Sequence, residues 1–425
     1  MFGPAAAAPI TKIVGNPPFG GSLDPGLQDA LETDFGVRDG LKIKKESYSF
    51  FLLKSVELLP PGGELAFLCS DTLLTIKTMR GLRRRLMNLG EVEVRTTAGF
   101  FSSEIRRPIV ELLFRRGSPA DALRVDGRVV PRSTVELTGT FSWQIAEDDA
   151  RYFAGPRLGE FVVSAGGMTV GRNEYFVRPL RGGLFTEPYR FEFFDDRVTL
   201  ERELGRARLG RLGRRKQALV AEQEAAGATR RNVRVVPRDE PLELAESDPD
   251  YRYYNKGIGR IVYAPPTHVI VWKNNGDAVR TFKRNGNWYL LGVGSQAYFE
   301  REGLSWQLIA NRLQPRYLPA GYILDTSSPC VFLREGVPRD ELYFVLGWLL
   351  TATCSRLLKN VVNHTKNIQG KDVEHLPYPF WIDEERKGPI AARVRGMVDE
   401  GRAGRQFTRD DAEVTHLESE FAFPM

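Results

Sequence analysis

The sequence predicts an α/β protein: a doubly wound sheet over residues 1–150, followed by a second, mixed α/β domain. Three observations predict it. Short apolar runs alternate with amphipathic stretches of helical period up to about residue 116, the strand–helix–strand order of a doubly wound sheet. A Pro-Pro-Gly-Gly turn at 60–63 separates one such helix from the strand after it. From about Ala150 the alternation gives way to glycine-rich and extended segments.

The elements follow in order. In "PITKIVGNPPF" the apolar residues Ile10, Ile13 and Val14 read as a buried parallel strand. Pro17 and Pro18 end it, because neither ring carries an N–H for the ladder. Two fixed φ angles leave the carbonyls of Asn16 and Pro17 held in one direction, and the flat ring of Phe19 follows at once. An amide, a rigid carbonyl and an aromatic face at the carboxyl end of a strand suit a planar heterocycle bearing an amino group. The stretch at 20–48 lacks strong periodicity and reads either as a mobile lid or as a solvated surface loop. "YSFFLLKSVELL" predicts an amphipathic helix ending near Leu59, and Glu64–Cys69 a buried strand. "MRGLRRRLMNLG" predicts a helix ending at Gly90, with strands near "EVEVRTT" and "RPIVELLFRR".

A chain of 425 residues exceeds one typical core and implies two or more domains. Hydrophobic content of 42% and charged content of 27% are those of a soluble globular protein. The net charge of +6 is a mild bias toward polyanionic partners. Cys69, Cys330 and Cys354 are far apart and show no C-x-x-C spacing, so neither a zinc site nor a disulfide framework is expected and a reducing cytoplasm is the default. The longest apolar stretch, "LYFVLGWLL" from Leu342, is too short to span a bilayer, and the N-terminus lacks a signal-peptide pattern.

Taken together, "IVGNPPF", "YSFFLLKSVELLPPGGELAFLCSDTLL" and "GFFSSEIRRPIVELLFRR" resemble the catalytic half of the amino-type DNA methyltransferases that make N6-methyladenine. The resemblance is closest to the large enzymes of combined restriction–modification proteins and to BREX-type phage-defence methyltransferases, and spans about residues 8 to 385. It implies a Rossmann-like sheet and S-adenosylmethionine as cofactor, with no metal. It also implies extrusion of the target adenine from the duplex, since its amino group is unreachable inside the stack. Asn16 and the Pro17 carbonyl would accept the two amino hydrogens, within a catalytic loop Asn16, Pro17, Pro18 and Phe19. Phe19 would stack on the base, with Phe101 as a second aromatic and neighbouring Phe100 fitting nearly as well. Tyr48 and Phe51 fall in the helix whose start lines the cofactor's adenosine pocket in the family, although as an apolar helical stripe they read as core before ligand.

The second domain, expected over 151–385, resembles the family's DNA target-recognition domain, with a glycine-rich turn around Gly166, Gly167 and Gly171. Its polar candidates for base edges are Arg172, Asn173, Lys273, Asn274, Asn275, Asn363, Lys366, Asn367 and Gln369. An arginine-dense insertion near 200–235, expected to be helical, offers Arg206, Arg211, Arg214, Arg215 and Lys216 for phosphate contacts with double-stranded DNA. Residues 386–425 read as a helical tail. In the family the cofactor loop precedes the Asn-Pro-Pro motif by many tens of residues, and only fifteen residues precede Asn16. Two Gly-x-Gly stretches, in "NKGIGRIVY" and "YLLGVGSQAYF", lack the family's surrounding pattern. The expectation is one half of a split methyltransferase, with a second subunit supplying the cofactor-binding half. A specificity subunit without catalysis, and a methyltransferase acting on RNA or on protein glutamine, are the alternatives.

Overall fold

A computed structural model describes residues 9–18, 24–38, 40–43, 47–100, 108–142, 144–145, 147–198, 230–284, 287–288 and 295–424. Two units divide the chain. Unit 1 comprises Met1–Arg157, Thr353–Thr365 and His375–Tyr378; unit 2 comprises Leu158–Ala352, Lys366–Glu374 and Pro379–Met425.

Unit 1 runs β1 (Lys12–Gly15), α1 (Pro25–Phe35), a hairpin β2–β3 (Val37–Arg38, Leu41–Lys42), α2 (Ser47–Leu58), β4 (Glu64–Ser70), α3 (Thr72–Thr75), α4 (Arg80–Leu89), β5 (Gly90–Phe100), β6 (Pro108–Arg116), β7 (Ala122–Val125), β8 (Arg128–Pro131) and α5 (Arg132–Thr138). Six strands form one mixed sheet in the order β1-β4-β6-β5-β7-β8. β1 pairs parallel with β4, β5 pairs parallel with β7, and β6 runs antiparallel between β4 and β5. The carboxyl ends of β1, β4, β5 and β7 therefore share one edge of the sheet.

Alternation builds the core. Leu65, Phe67 and Cys69 of β4, Val92 and Val94 of β5, and Val110, Leu112 and Phe114 of β6 point to one face, where Leu52, Leu53 and Val56 of α2 and Leu82 and Leu86 of α4 cover them. Each such side chain contributes about 1.5–3 kcal/mol by leaving water. The Pro-Pro-Gly-Gly turn works as its composition predicts: Gly62 takes φ +81°, and the Gly63 N–H donates to the Pro60 carbonyl at 2.9 Å. Arg83 of α4 is buried in this layer, yet its guanidinium is satisfied by carbonyls: Gly139 from Nε at 2.8 Å, and Leu73 and Ile76 from Nη1 at 2.7 and 3.1 Å.

Two expectations are corrected here. The stretch 20–48, expected to lack regular structure, folds within its described part into α1 and the β2–β3 hairpin. The Asp24 carboxylate caps α1 by accepting from the Gly26 and Leu27 N–H groups at 2.9 and 3.3 Å, Pro25 occupies the first helical turn, and Phe35 packs into the core. The strand at Ile10–Val14, expected to be buried, does pair parallel with β4 but stands at the edge of the sheet, where Ile10 is 56% and Val14 83% exposed. The sheet face opposite α2 and α4 is also open: Ala66, Leu68 and Leu113 are only half-buried. Val14, Ala66, Glu93, Leu113 and Val129 line a depression of about 920 Å³ there.

Unit 2 is mixed α/β as well. Its strands are β9 (Val162–Ala165), β10 (Val177–Pro179), β11 (Leu184–Val198), β12 (Arg230–Ala245), β13 (Tyr251–Asn255), β14 (Val262–Tyr263), β15 (His268–Val271), β16–β17 (Lys283–Arg284, Asn287–Trp288), β18 (Gly303–Ser305), β19 (Arg316–Leu318), β20 (Tyr322–Leu324) and β21 (Cys330–Leu333). They make a four-stranded sheet β10-β15-β13-β20, a five-stranded sheet β14-β19-β18-β21-β9 and the long antiparallel hairpin β11–β12. Gly167 lies against the Asp325 backbone so closely that a Cβ would meet it at 2.2 Å, which is the physical need behind the glycine-rich turn. At the root of the hairpin the buried Glu187 carboxylate accepts from Arg178 Nη2 at 2.6 Å, from the Tyr189 N–H at 2.9 Å and from the Tyr251 hydroxyl. The apolar run from Leu342 is the buried helix α8 (Asp340–Leu350), packed against α9 (Glu384–Arg402) and, with Phe344 and Trp348, against Phe421, which follows α10 (Ala412–Glu420); α6 (Asn173–Phe176) and α7 (Lys273–Thr281) precede them. Among the described residues no helix is long and apolar enough to cross a membrane.

Candidate functional site

The Asn-Pro-Pro stretch leaves β1 at the edge shared by the carboxyl ends of four strands. Asn16 and Pro18 are exposed and Pro17 is buried, so the loop is rooted by its middle residue and offers the Asn16 amide outward. Its direction is set by Ser47, the buried first residue of α2, whose hydroxyl donates to the Pro18 carbonyl at 2.9 Å across 29 positions of sequence. Among the described residues neither the Asn16 amide nor the Pro17 carbonyl takes a hydrogen bond. Phe19 lies outside the described residues.

Ser47→Ala removes the bond that aims the loop. A neutral hydrogen bond contributes about 1 kcal/mol, so any reaction that depends on the direction of this loop should slow about fivefold with the thermal melt of the protein little changed. Steady-state rates beside a melting curve check this, and an unchanged rate would show that Ser47 does not orient the loop.

A second polar group stands at the same edge, beyond the end of β4. Asp71 accepts through Oδ2 from His364 Nε2 at 2.6 Å, while His364 Nδ1 lies 2.8 Å from the Thr75 hydroxyl. The ring thus links the Asp71 carboxyl on one nitrogen to the Thr75 hydroxyl on the other, a polar chain of three side chains. His364 belongs to unit 1, one residue before the chain passes into unit 2. The turn it sits in is built by Asn363, whose side-chain oxygen accepts from the Thr365 N–H at 2.9 Å and the Thr365 hydroxyl at 2.7 Å. Neither Ser47 nor this trio was visible in the sequence. Asp71 and His364 are 293 positions apart, and the one available signal was the polar turn "NHTKN" around a histidine.

The other sequence candidates fall as follows. Tyr48 is 2% exposed, with its hydroxyl on the Met79 sulfur at 3.3 Å, whereas Phe51 is 56% exposed on the outer side of α2. Phe100 closes β5 in register with Pro108, and Phe101 lies outside the described residues. In unit 2, Arg172 and Asn173 are exposed, Arg172 bonding the Tyr175 hydroxyl at 2.7 Å and pairing with Glu174 at 3.2 Å. Lys273 pairs with Asp250 at 2.7 Å, a contact that raises the lysine's affinity for its proton. Asn274 and Asn275 follow in left-handed conformation, φ 50° and 59°, ahead of Gly276 at 75°. Lys366, Asn367 and Gln369 are exposed together, Gln369 Nε2 donating to the Asn367 side-chain oxygen at 2.6 Å. Arg206, Arg211, Arg214, Arg215 and Lys216 lie outside the described residues, in the stretch that joins the arms of β11 and β12. Cys69, Cys330 and Cys354 are buried free thiols, Cys69 pushed up to about 12 and Cys330 to about 11 by burial, which leaves neither as a nucleophile near neutral pH. Among the described residues no group of His, Cys, Asp and Glu could hold a metal ion.

Residues 11–97 match the Eco57I restriction-modification methylase family, so the resemblance drawn from the sequence is shown over the Asn-Pro-Pro loop, α2, β4, α4 and most of β5. The fold is similar to that of the Type IIL restriction-modification enzyme MmeI, whose structure was solved in complex with DNA: TM-score 0.54 at 11% identity, over 96% of this chain and 53% of that one. The Type ISP restriction-modification enzyme LlaBIII, bound to DNA, aligns with a TM-score of 0.47 at 10% identity, over 92% of this chain and 30% of that one. LlaGI, also Type ISP, aligns at 0.45 and 13%, over 92% and 41%. The chain thus spans about half the length of MmeI. No curated protein matches it in sequence.

Proposed function

We propose that this chain, whose residues 11–97 carry a restriction–modification methylase match, holds the catalytic loop and the DNA-recognition part of an adenine-N6 DNA methyltransferase. A partner subunit would supply the cofactor-binding half, and phage defence is the setting. The observation that carries this reading is the exposed Asn16 amide beside a buried Pro17, held at the carboxyl edge of the sheet by Ser47.

The chemistry follows from those atoms. An adenine amino nitrogen is a poor nucleophile while its lone pair is delocalised into the ring. Acceptance of one amino hydrogen by the Asn16 side-chain oxygen and of the other by the Pro17 carbonyl pulls the nitrogen toward tetrahedral geometry and localises that pair. Phe19 stacks on the extruded base, a contact of about 1–3 kcal/mol. S-adenosylmethionine, when bound, supplies the electrophilic methyl group. This chain's own residues fit the base half of that reaction better than the cofactor half, since the Tyr48 hydroxyl is spent on Met79 and Phe51 stands on the outer side of α2. The open edge of β1 and the uncovered sheet face are what a cofactor-binding half would cover. The test is methyl transfer from labelled S-adenosylmethionine to duplex DNA by the chain with that half, with N6-methyladenine identified as the product nucleoside; another methylated product, or none, refutes the reading.

DNA recognition is assigned to unit 2. It is supported by the exposed polar groups at 172–173, 273–275 and 366–369 and by the fold likeness to MmeI, which was solved with DNA. The ion pairs that occupy Arg172 and Lys273 are exposed and contribute little, so exchanging them for base or phosphate contacts costs about 1 kcal/mol or less. Arg214→Gln with Arg215→Gln should lower affinity for all duplexes alike and flatten the salt dependence. Asn274→Ala or Asn367→Ala should instead change which duplex is preferred, by about 1–3 kcal/mol at the affected base pair. Competition binding over a randomised duplex pool reads both, and loss of affinity without any change of preference in the asparagine variants would remove them from base reading.

A further inference from the structure

Unit 1 carries a second charged feature, on the flank of the sheet rather than in the Asn16 loop. Arg80, Arg83 and Arg84 of α4 meet Arg132, Glu136 and Gly139 of the α5 region around a cavity of about 270 Å³. Positions 80 and 84 are one helical turn apart and so share a face of α4. The pairing of these cations is uneven. Arg83 is committed to carbonyls, as described above. Arg132 is committed too: Nε donates to Glu136 at 2.8 Å, Nη2 to the Asn88 side chain at 2.5 Å, and Nη1 to the Met87 and Ala120 carbonyls at 3.3 Å. Arg80 and Arg84 have neither a hydrogen bond nor a carboxylate partner among the described residues. Four guanidiniums therefore face one cavity with a single carboxylate, and that carboxylate is already taken. Burial, with Arg80's charge adding to it against the opposing effect of Tyr48, pulls Arg83 down to about 9. Like charges gathered in this way repel one another, and an anion between them relieves the repulsion.

The form of the cavity narrows the anion. Guanidiniums present planar forks of donors that match phosphate oxygens, and more than one is within reach of a single ligand here. We propose that the cavity between α4 and α5 is an oxyanion site that takes a phosphate group through Arg80 and Arg84, with Arg83 and Arg132 as the fixed cationic floor. α4 lies between the carboxyl end of β4 and the start of β5, which puts its Arg80 end toward the edge that carries Asn16. Two sources share this chemistry, a backbone phosphate of duplex DNA and a small phosphate ligand. The site stands on its own geometry and does not depend on the methyl-transfer reading.

The experiment uses the full chain and the double variant Arg80→Gln/Arg84→Gln, both positions being exposed, with Arg80→Lys/Arg84→Lys as the charge-retaining control. Inorganic pyrophosphate should raise the melting temperature of the native chain and of the lysine variant but not of the glutamine variant. In the second arm, duplex binding is measured across salt. If the phosphate belongs to DNA, the glutamine variant loses about one unit of log–log slope, so its affinity falls about fourfold less than that of the native chain between 50 and 200 mM salt. A pyrophosphate effect with an unchanged slope assigns a small phosphate ligand. A native chain that neither responds to pyrophosphate nor differs from the glutamine variant in salt slope overturns the site, and this holds even for a poorly folded variant, because the pyrophosphate arm is read on the native chain.

Discussion

Asn16→Ala should abolish methyl transfer in the reconstituted enzyme while leaving DNA affinity within about twofold. On the proposed reading the substitution deletes one of the two acceptors for the amino group, and Asn16 belongs to unit 1, whereas DNA recognition is assigned to unit 2. Removing a single preorganised hydrogen-bonding group from a reacting centre typically costs about 10²–10³ in turnover. Here the loss should reach the upper end, because the remaining Pro17 carbonyl can hold only one amino hydrogen and the nitrogen stays conjugated. Asn16 is exposed, so the melt should not move. Phe19→Ala should be milder, about 10-fold, since it loses stacking of about 1–3 kcal/mol and keeps both acceptors. Single-turnover methylation beside a binding isotherm separates chemistry from affinity. An active Asn16→Ala enzyme would remove the catalytic assignment, and an Asn16→Ala enzyme that no longer binds DNA would make the loop a binding element instead.

How far the sequence reveals this molecule depends on whether the determining contacts are local. β4 is legible because Leu65, Phe67 and Cys69 alternate with Ala66 and Leu68 after a Pro-Pro-Gly-Gly turn. α4 is legible because Leu82, Leu86 and Leu89 recur at helical spacing and Gly90 ends it. α1 carries few apolar residues, and its one local signature is Asp24 followed by Pro25, a cap with proline in the first turn, which is easily read as an ordinary loop. The exposure of Val14 was not readable at all, since an apolar run at the rim of a sheet has the same local pattern as one at its centre; what differs is the presence of a strand on the far side. The Asn16 motif is contiguous and so announces itself. The group that holds it is not, and neither are the other side-chain clusters of unit 1: Ser47 reaches Pro18 from 29 positions away, Asp71 and His364 meet across 293, and the arginine cavity needs α4 and α5 to be brought together. Contiguous chemistry is therefore visible in the sequence, while its positioning is visible only in the fold.

The open rim of the sheet leads to the second large effect. If β1 is completed by strands on another polypeptide, this chain alone should bind no S-adenosylmethionine at micromolar concentration and methylate no DNA, and both abilities should appear when the partner is added. The argument is geometric. In a doubly wound sheet the ligand lies in the crevice where strands on either side of a switch point diverge, so one side alone leaves most of the cofactor in water. Among the described residues β1 is the terminal strand of this sheet, Val14 is 83% exposed, and the face opposite α2 and α4 is open beside it. A partner that paired with β1 and covered that face would replace contacts of a single core, giving an apolar interface of roughly 2,000 Å² or more. Val14→Asp should then leave the melt of the isolated chain unchanged, because the residue is already in water, yet abolish association by burying a charge without a counter-ion. Calorimetry of the isolated chain with cofactor, and sedimentation of native and Val14→Asp chains with the partner, decide it. A stoichiometric micromolar site on the isolated chain would mean that its own residues complete the pocket, and a Val14→Asp chain that still assembles would place the partner somewhere other than the β1 edge.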